Sequence, residues 1–147
     1  MLNRIKKAYF GSGIGTLILV ISSLLMIVVS IIYMIIDFGS LKLLDGGDKT
    51  LVFLMFLLGG IIGLLTPLVP VKLVRSILPL VPAAMFATGA GRMVYLTIYP
   101  LSDEMTGVKW WGGSLPLYMT FLILFLVGTL GVIVANFLKD PEAKAQA

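Results

Sequence analysis

Cysteine and histidine are both absent from this chain of 147 residues, and charged residues make up only 12% of it. The missing cysteine excludes disulfides and zinc thiolate sites, and the missing histidine excludes histidine-ligated haem and Ser-His-Asp or Cys-His catalysis. No carboxylate lies in the middle of a long apolar run, where proton-coupled pumps and small drug exporters normally keep one. We therefore expect no catalytic residue, no bound metal and no cofactor, and we interpret the chain as a non-enzyme.

Four long apolar runs dominate the residues that are present. Apolar residues make up 59% of the chain and its mean hydropathy is +1.09, whereas a soluble domain is about half apolar and about a quarter charged. The runs cover residues 12–36, 51–69, 77–99 and 115–138, and about 20 helical residues suffice to cross a bilayer core. The sequence predicts an all-α integral membrane protein, with residues 1–147 forming one domain that is a bundle of four transmembrane helices.

The distribution of basic residues predicts the orientation of the chain, because cytoplasmic segments carry an excess of lysine and arginine. With the N-terminus in the cytoplasm, three basic residues would lie outside, namely Lys42, Lys49 and Lys109. The cytoplasmic side would then hold the larger set of Arg4, Lys6, Lys7, Lys72, Arg75, Lys139 and Lys144. We expect both termini to be cytoplasmic and the membrane to be a plasma membrane, most simply the inner membrane of a bacterium. The net charge of +4 then suits anionic lipid head groups, and we expect no nucleic-acid partner.

Small residues recur at spacings of four along the runs, and such spacings let helix backbones approach closely in lipid. The predicted helix-packing residues are Gly59 and Gly63 in the second run, Ala83, Ala87 and Gly91 in the third, and Gly131 and Ala135 in the fourth. The third run carries the strongest of these patterns because three small residues share one ridge over two turns. The pattern favours a compact bundle, a contact with a partner, or both.

Arg92 is the one charged residue deep inside a predicted span, which makes it the leading candidate for a functional or structural site. We predict an ion pair with Asp37, the acid closest to the membrane, and expect the Tyr33 hydroxyl to join it one turn earlier on the first span. This pair would tie the third span to the first near the outer face. The alternative is a site for an anionic or polar group, such as a lipid phosphate, a substrate carboxylate or a quinone carbonyl.

The loops predicted outside the membrane contain turn residues and aromatic anchors. Trp110 and Trp111 fit an interfacial belt, together with Tyr95, Tyr99 and Tyr118. In the first outer loop, Gly46 and Gly47 indicate a turn and Asp48 or Thr50 a helix N-cap. The segment from Pro100 to Ser114 is the longest polar stretch and is predicted to be loop. Pro79 and Pro82 are expected in the first turns of the third helix.

Three classes of function remain open. The first is a non-catalytic accessory or scaffold subunit of a larger membrane complex, with other membrane subunits and lipids as partners. The second is a small transporter or channel working as a homo-oligomer, whose pore would be lined by Arg92 and by the serines of the first span, Ser22, Ser23 and Ser30. The third is a lipid- or quinone-binding membrane protein that uses Arg92. The sequence favours the first class, and a bound lipid is compatible with all three.

Overall fold

The computed structural model describes residues 13–38, 46–108 and 113–138, and every regular element in them is helical. Listed in chain order, the α-helices are α1 Ile14–Ile35, α2 Gly46–Leu65, α3 Lys72–Ile77, α4 Leu80–Thr106 and α5 Leu115–Phe137. A 3₁₀ turn, Thr66–Leu68, extends α2. Four of these segments are long and apolar enough to cross a membrane, which confirms the predicted all-helical fold with four long apolar helices.

The four long helices form an antiparallel ring. Helix α1 packs against α2 and α5, and α4 packs against the same two helices. Neighbouring helices run in opposite directions. For example, Gly59 of α2 faces Phe86 of α4, whereas Gly63, one turn later on α2, approaches Pro82, one turn earlier on α4. Consecutive long helices are therefore neighbours, as expected for short connections. In this arrangement α1 and α4 lie at opposite corners of the bundle.

Proline and glycine positions explain most of the helix boundaries. Pro67 lies in the 3₁₀ turn that ends α2, and Pro79 is the N-cap of α4, where a missing amide hydrogen costs little. Gly107 ends α4 in the left-handed conformation, with φ of 75°. Beside it, the Val108 N–H donates to the Asp103 carbonyl at 2.9 Å, which is a typical glycine-terminated helix end.

Two predicted boundaries are wrong. Helix α4 continues through Pro100 to Thr106, so the start of the predicted outer loop is helical. Pro100 removes one backbone hydrogen bond, but its neighbours keep theirs, and the helix ends only where Gly107 can adopt positive φ. Helix α2 begins at Gly46, so Asp48 lies in its first helical turn and is neither a loop residue nor an N-cap.

Aromatic rings fill one half of the bundle core. The Phe56 ring of α2 stacks on the Phe125 ring of α5 with centroids 3.9 Å apart, and its centroid lies 5.3 Å from that of Phe86 on α4. Nearer the α1–α2 connection, Tyr33 lies within ring contact of both Phe121 and Phe125. These rings join all four long helices around one centre.

The other half of the core is built from glycine and serine. Ser23 of α1 lies against Gly60 and Gly63 of α2, and Ser22 lies against Gly131 of α5. A methyl group at Gly60 would lie only 3.0 Å from the Ser23 carbonyl oxygen. The glycines thus let α1 approach both of its neighbours at close range, the usual mode of helix association in lipid.

The predicted packing residues divide into two groups. Gly59, Gly63, Gly131 and Ala135 are buried or partly buried between helices, and Ala83 is partly buried against the core. Ala87 and Gly91 instead face outward, and a methyl group at Gly91 would meet nothing within 4 Å. The prediction that Ala87 and Gly91 pack inside the bundle is therefore wrong. The face of α4 that packs inward carries Phe86, Gly89, Ala90 and Met93.

Candidate functional site

Arg92 forms a close ion pair on the surface between α2 and α4. Its Nε and Nη2 groups both donate to Oδ1 of Asp48, at 2.9 and 2.7 Å. The Arg92 side chain keeps 41% of its surface exposed and Asp48 keeps 21%. Both side chains are therefore more than half covered, and each is anchored on a helix. Charge-assisted bonds of this kind are among the stronger hydrogen bonds in proteins.

The partner of Arg92 differs from the predicted one. Sequence reasoning selected Asp37, which follows α1, whereas the ion pair of the structure is made with Asp48 of α2. Helix α1 lies diagonally across the bundle from α4, while α2 lies beside it. In addition, the early start of α2 places the Asp48 carboxylate on a helical turn instead of in a loop. The pair therefore ties the third long helix to the second.

The register of α2 and α4 explains how far the arginine must reach. Phe56 faces Gly89, and Gly59 faces Phe86, so a step along α2 matches an equal step backward along α4. Continued to the start of α2, this register sets Asp48 opposite Thr97. Arg92 lies five residues before Thr97, or about 7 Å along the axis. Its side chain covers this distance toward the end of the bundle, which is the snorkelling that a long cationic side chain allows.

One edge of the Arg92 guanidinium is open. Of its five N–H groups, the ion pair uses one on Nε and one on Nη2, and the other three have no hydrogen-bond partner among the residues that the structure describes. The ring of Tyr95, one turn further along α4, lies 5.3 Å from the Arg92 Cζ atom. Tyr95 itself is half-exposed. Arg92 and Tyr95 therefore present hydrogen-bonding groups together on the outer surface.

Lys49 forms a second polar contact beside the ion pair. Its Nζ group donates to the Ile36 carbonyl at 2.7 Å, where α1 has just ended. The same ammonium lies 5.4 Å from the centroid of the Phe38 ring and 6.0 Å from that of Tyr33. A lysine that binds a free carbonyl at a helix C-terminus stabilises that end, and cation–π contacts add to it. Lys49 thus connects α2 to the end of α1.

Tyr33 does not join the arginine through its hydroxyl, as the sequence suggested. Its side chain is fully buried among the rings of α5, and its hydroxyl oxygen has no hydrogen-bond partner within the described part of the chain. Tyr118 is likewise buried, with its hydroxyl donating to the Met93 carbonyl at 3.3 Å, so it is a core residue and not an interfacial anchor. The predicted anchors Trp110 and Trp111 lie outside the described residues.

The serines of α1 are enclosed by the bundle. Ser22, Ser23 and Ser30 are all buried, and the Ser30 hydroxyl donates to the carbonyl of Ile27 in its own helix at 2.9 Å. Ser22 lies against a glycine of α5, and Ser23 lies against glycines of α2. Because they face the inside of one chain, they are not placed to line a pore between copies of this chain.

Asp48 and Tyr95 are the two site residues whose role the sequence did not reveal. A signal was available for Asp48: the short connection between the second and third spans makes them antiparallel neighbours, so an acid at the start of one can meet an arginine late in the other.

Over residues 13–38, 46–108 and 113–138, no group of three or more acidic, histidine or cysteine residues could hold a metal ion. Comparisons with family models, curated proteins and solved structures find no match for this chain.

Proposed function

We propose that this chain is a multi-pass membrane protein whose four long helices cross the bilayer with both termini in the cytoplasm. The lengths of the helices, 20 to 27 residues, suit a hydrocarbon core of about 30 Å. Large apolar side chains cover the outside of the bundle, with Ile14, Val127 and Leu130 all more than half exposed. Such a surface promotes association in water but is solvated by lipid. The excess of basic residues on one side supports the orientation, and a bacterial plasma membrane is the simplest location.

Labelling of single cysteines tests this topology directly, because the natural chain contains none. Lys42→Cys should react with a membrane-impermeant maleimide added to intact cells, since residue 42 follows the first span. Lys72→Cys, between the second and third spans, should react only after the membrane is permeabilised. Labelling of both positions from the same side would contradict the proposed topology.

Within the membrane, we infer that the protein is a non-catalytic accessory subunit of a larger complex. The observation that carries this inference is the outer face of α4, where Ala84, Ala87, Thr88 and Gly91 are all exposed. We call these four residues the α4 stripe. The same kind of small residue brings α1 close to α2 and α5 inside the bundle. The α4 stripe offers that packing surface to a helix from another chain, because its residues make room for a backbone to approach.

Two threonines provide a matched test of this function. Thr88 on the stripe and Thr120 on α5 are both exposed, and each hydroxyl donates to the carbonyl four residues earlier, at 2.9 and 3.0 Å. Thr88→Leu should abolish co-purification of an unrelated membrane subunit in mild detergent, whereas Thr120→Leu should leave it unchanged. Mass spectrometry of the purified complex identifies and counts the subunits.

Two results would contradict the accessory role. The first is equal behaviour of the two leucine variants, which would show that the α4 stripe makes no specific contact. The second is recovery of the wild-type protein as copies of itself alone, which would instead support the oligomeric transporter or channel. Elution volume of each variant by size exclusion confirms that the helical bundle itself is intact.

A further inference from the structure

We propose that the Arg92–Tyr95 surface binds the phosphate of an anionic phospholipid. This site adjoins the α4 stripe, because Tyr95 lies one turn after Gly91 on the same exposed side of α4. It does not rest on the accessory role, because it uses other groups, the open edge of the guanidinium and the tyrosine hydroxyl. Arginine matches phosphate well, since its planar donors can contact two phosphate oxygens together. Asp48 occupies only one side of the guanidinium and leaves three N–H groups for a ligand.

The level of the site in the bundle favours a lipid as the source of the phosphate. Asp48 lies in the first turn of α2, and Arg92 reaches toward that end of the helix. The opposite end of α4, at Leu80, is about 26 Å from Thr97, the residue level with Asp48. A hydrocarbon core of about 30 Å that begins near Leu80 would end close to the guanidinium. Lipid phosphates lie just outside this core.

Tyr95 strengthens the assignment. Its ring lies against the guanidinium, and half of its surface is exposed on the outside of the bundle. Tyrosine is enriched at membrane interfaces because its ring tolerates hydrocarbon while its hydroxyl bonds to polar head groups. The ring orients the guanidinium, and the hydroxyl supplies one more donor to the same phosphate.

Asp48 and the phosphate would compete for the Arg92 guanidinium. Substitutions of Arg92 and of Asp48 should therefore change lipid retention in opposite directions. The protein is placed in nanodiscs of phosphatidylcholine with or without phosphatidylglycerol, and retained lipid is counted by native mass spectrometry. Wild-type protein should retain phosphatidylglycerol in preference to phosphatidylcholine. Arg92→Gln should lower this retention roughly tenfold and Tyr95→Phe roughly threefold, from the size of charged and neutral hydrogen bonds. Asp48→Asn should raise it, because the guanidinium loses its competing carboxylate.

Thr120→Val is the control, since it removes an exposed hydroxyl from α5; its retention of phosphatidylglycerol should equal that of wild type. If Arg92→Gln does not fold, Tyr95→Phe and Asp48→Asn still test the site. Lower retention of phosphatidylglycerol by Asp48→Asn would show that the ion pair only stabilises the fold, and this result would overturn the proposal. Equal retention by Tyr95→Phe and Thr120→Val would also overturn it, as would displacement of the lipid by added inorganic phosphate or recovery of a bound polypeptide in place of the lipid.

Discussion

Replacing Gly60 by leucine is expected to destabilise the bundle by about 3 kcal/mol, the upper end of what overpacking a core usually costs. A methyl group at this position would lie 2.6 Å from Ile27 Cγ1 and 3.0 Å from the Ser23 carbonyl oxygen. Ile27 can adjust its side chain, but the carbonyl belongs to the backbone of α1. The whole of α1 must therefore move away from α2, and the contacts of its buried serines are lost with it. Reversible unfolding in mixed micelles measures the free energy of unfolding.

Gly91→Leu is the control for this prediction, because a side chain there meets open space. Both substitutions replace glycine by leucine inside a long helix, so the change in helix propensity is the same in each. The difference between the two free energies of unfolding then reports packing alone. We expect Gly91→Leu to be as stable as wild type or slightly more so. If both variants lost stability equally, the close contact of Gly60 with Ser23 and Ile27 of α1 would be wrong.

The substitution Phe56→Ala should remove a comparable amount of stability, about 3 kcal/mol. In soluble proteins the change of a buried phenylalanine to alanine costs about 3 to 5 kcal/mol. Lipid also solvates a phenylalanine ring, so the expected loss here lies at the low end and comes mainly from packing. The ring lies between Phe86 and Phe125, and its removal leaves a cavity shared by three helices.

Leu58→Ala provides the comparison for Phe56→Ala, since Leu58 is on the same helix but nearly half exposed. Truncation of the Leu58 side chain should change the free energy of unfolding by less than about 0.5 kcal/mol. Thermal unfolding of the two variants and the wild type in one detergent gives the comparison. A large loss at Leu58 together with a small loss at Phe56 would show that α2 is rotated relative to the structure described here.

Helix α4 carries three distinct surfaces. Phe86, Gly89 and Met93 face the bundle, and the α4 stripe faces outward for the proposed partner. Arg92 lies between these two surfaces and is paired with α2. One helix would thus join the chain to itself, to another subunit and to a lipid. The three contacts use different side chains, so the variants described above separate them.

The Arg92 ion pair shows how much of the candidate site could be predicted. An arginine within a long apolar run is visible in the sequence, and so is its need for a carboxylate on the same side of the membrane. The short connection between the second and third spans allows Asp48 as the partner, but the sequence does not decide between Asp48 and the other carboxylates on that side. Asp37 is nearest to a predicted span in sequence, but its helix lies diagonally opposite, and Asp48 becomes a neighbour only because α2 starts two residues before it.

Composition and the length of the apolar runs by themselves determined the helical architecture, because each run must satisfy its own backbone hydrogen bonds wherever water is absent. They also showed that Arg92 is exceptional. Tertiary structure alone decided that Asp48 is its partner, that the serines of α1 lie inside, and that Ala87 and Gly91 lie outside. These outcomes depend on the order of helices around the bundle and on the rotation of each helix about its axis. Packing between residues far apart in sequence sets both, and no local pattern contains that information.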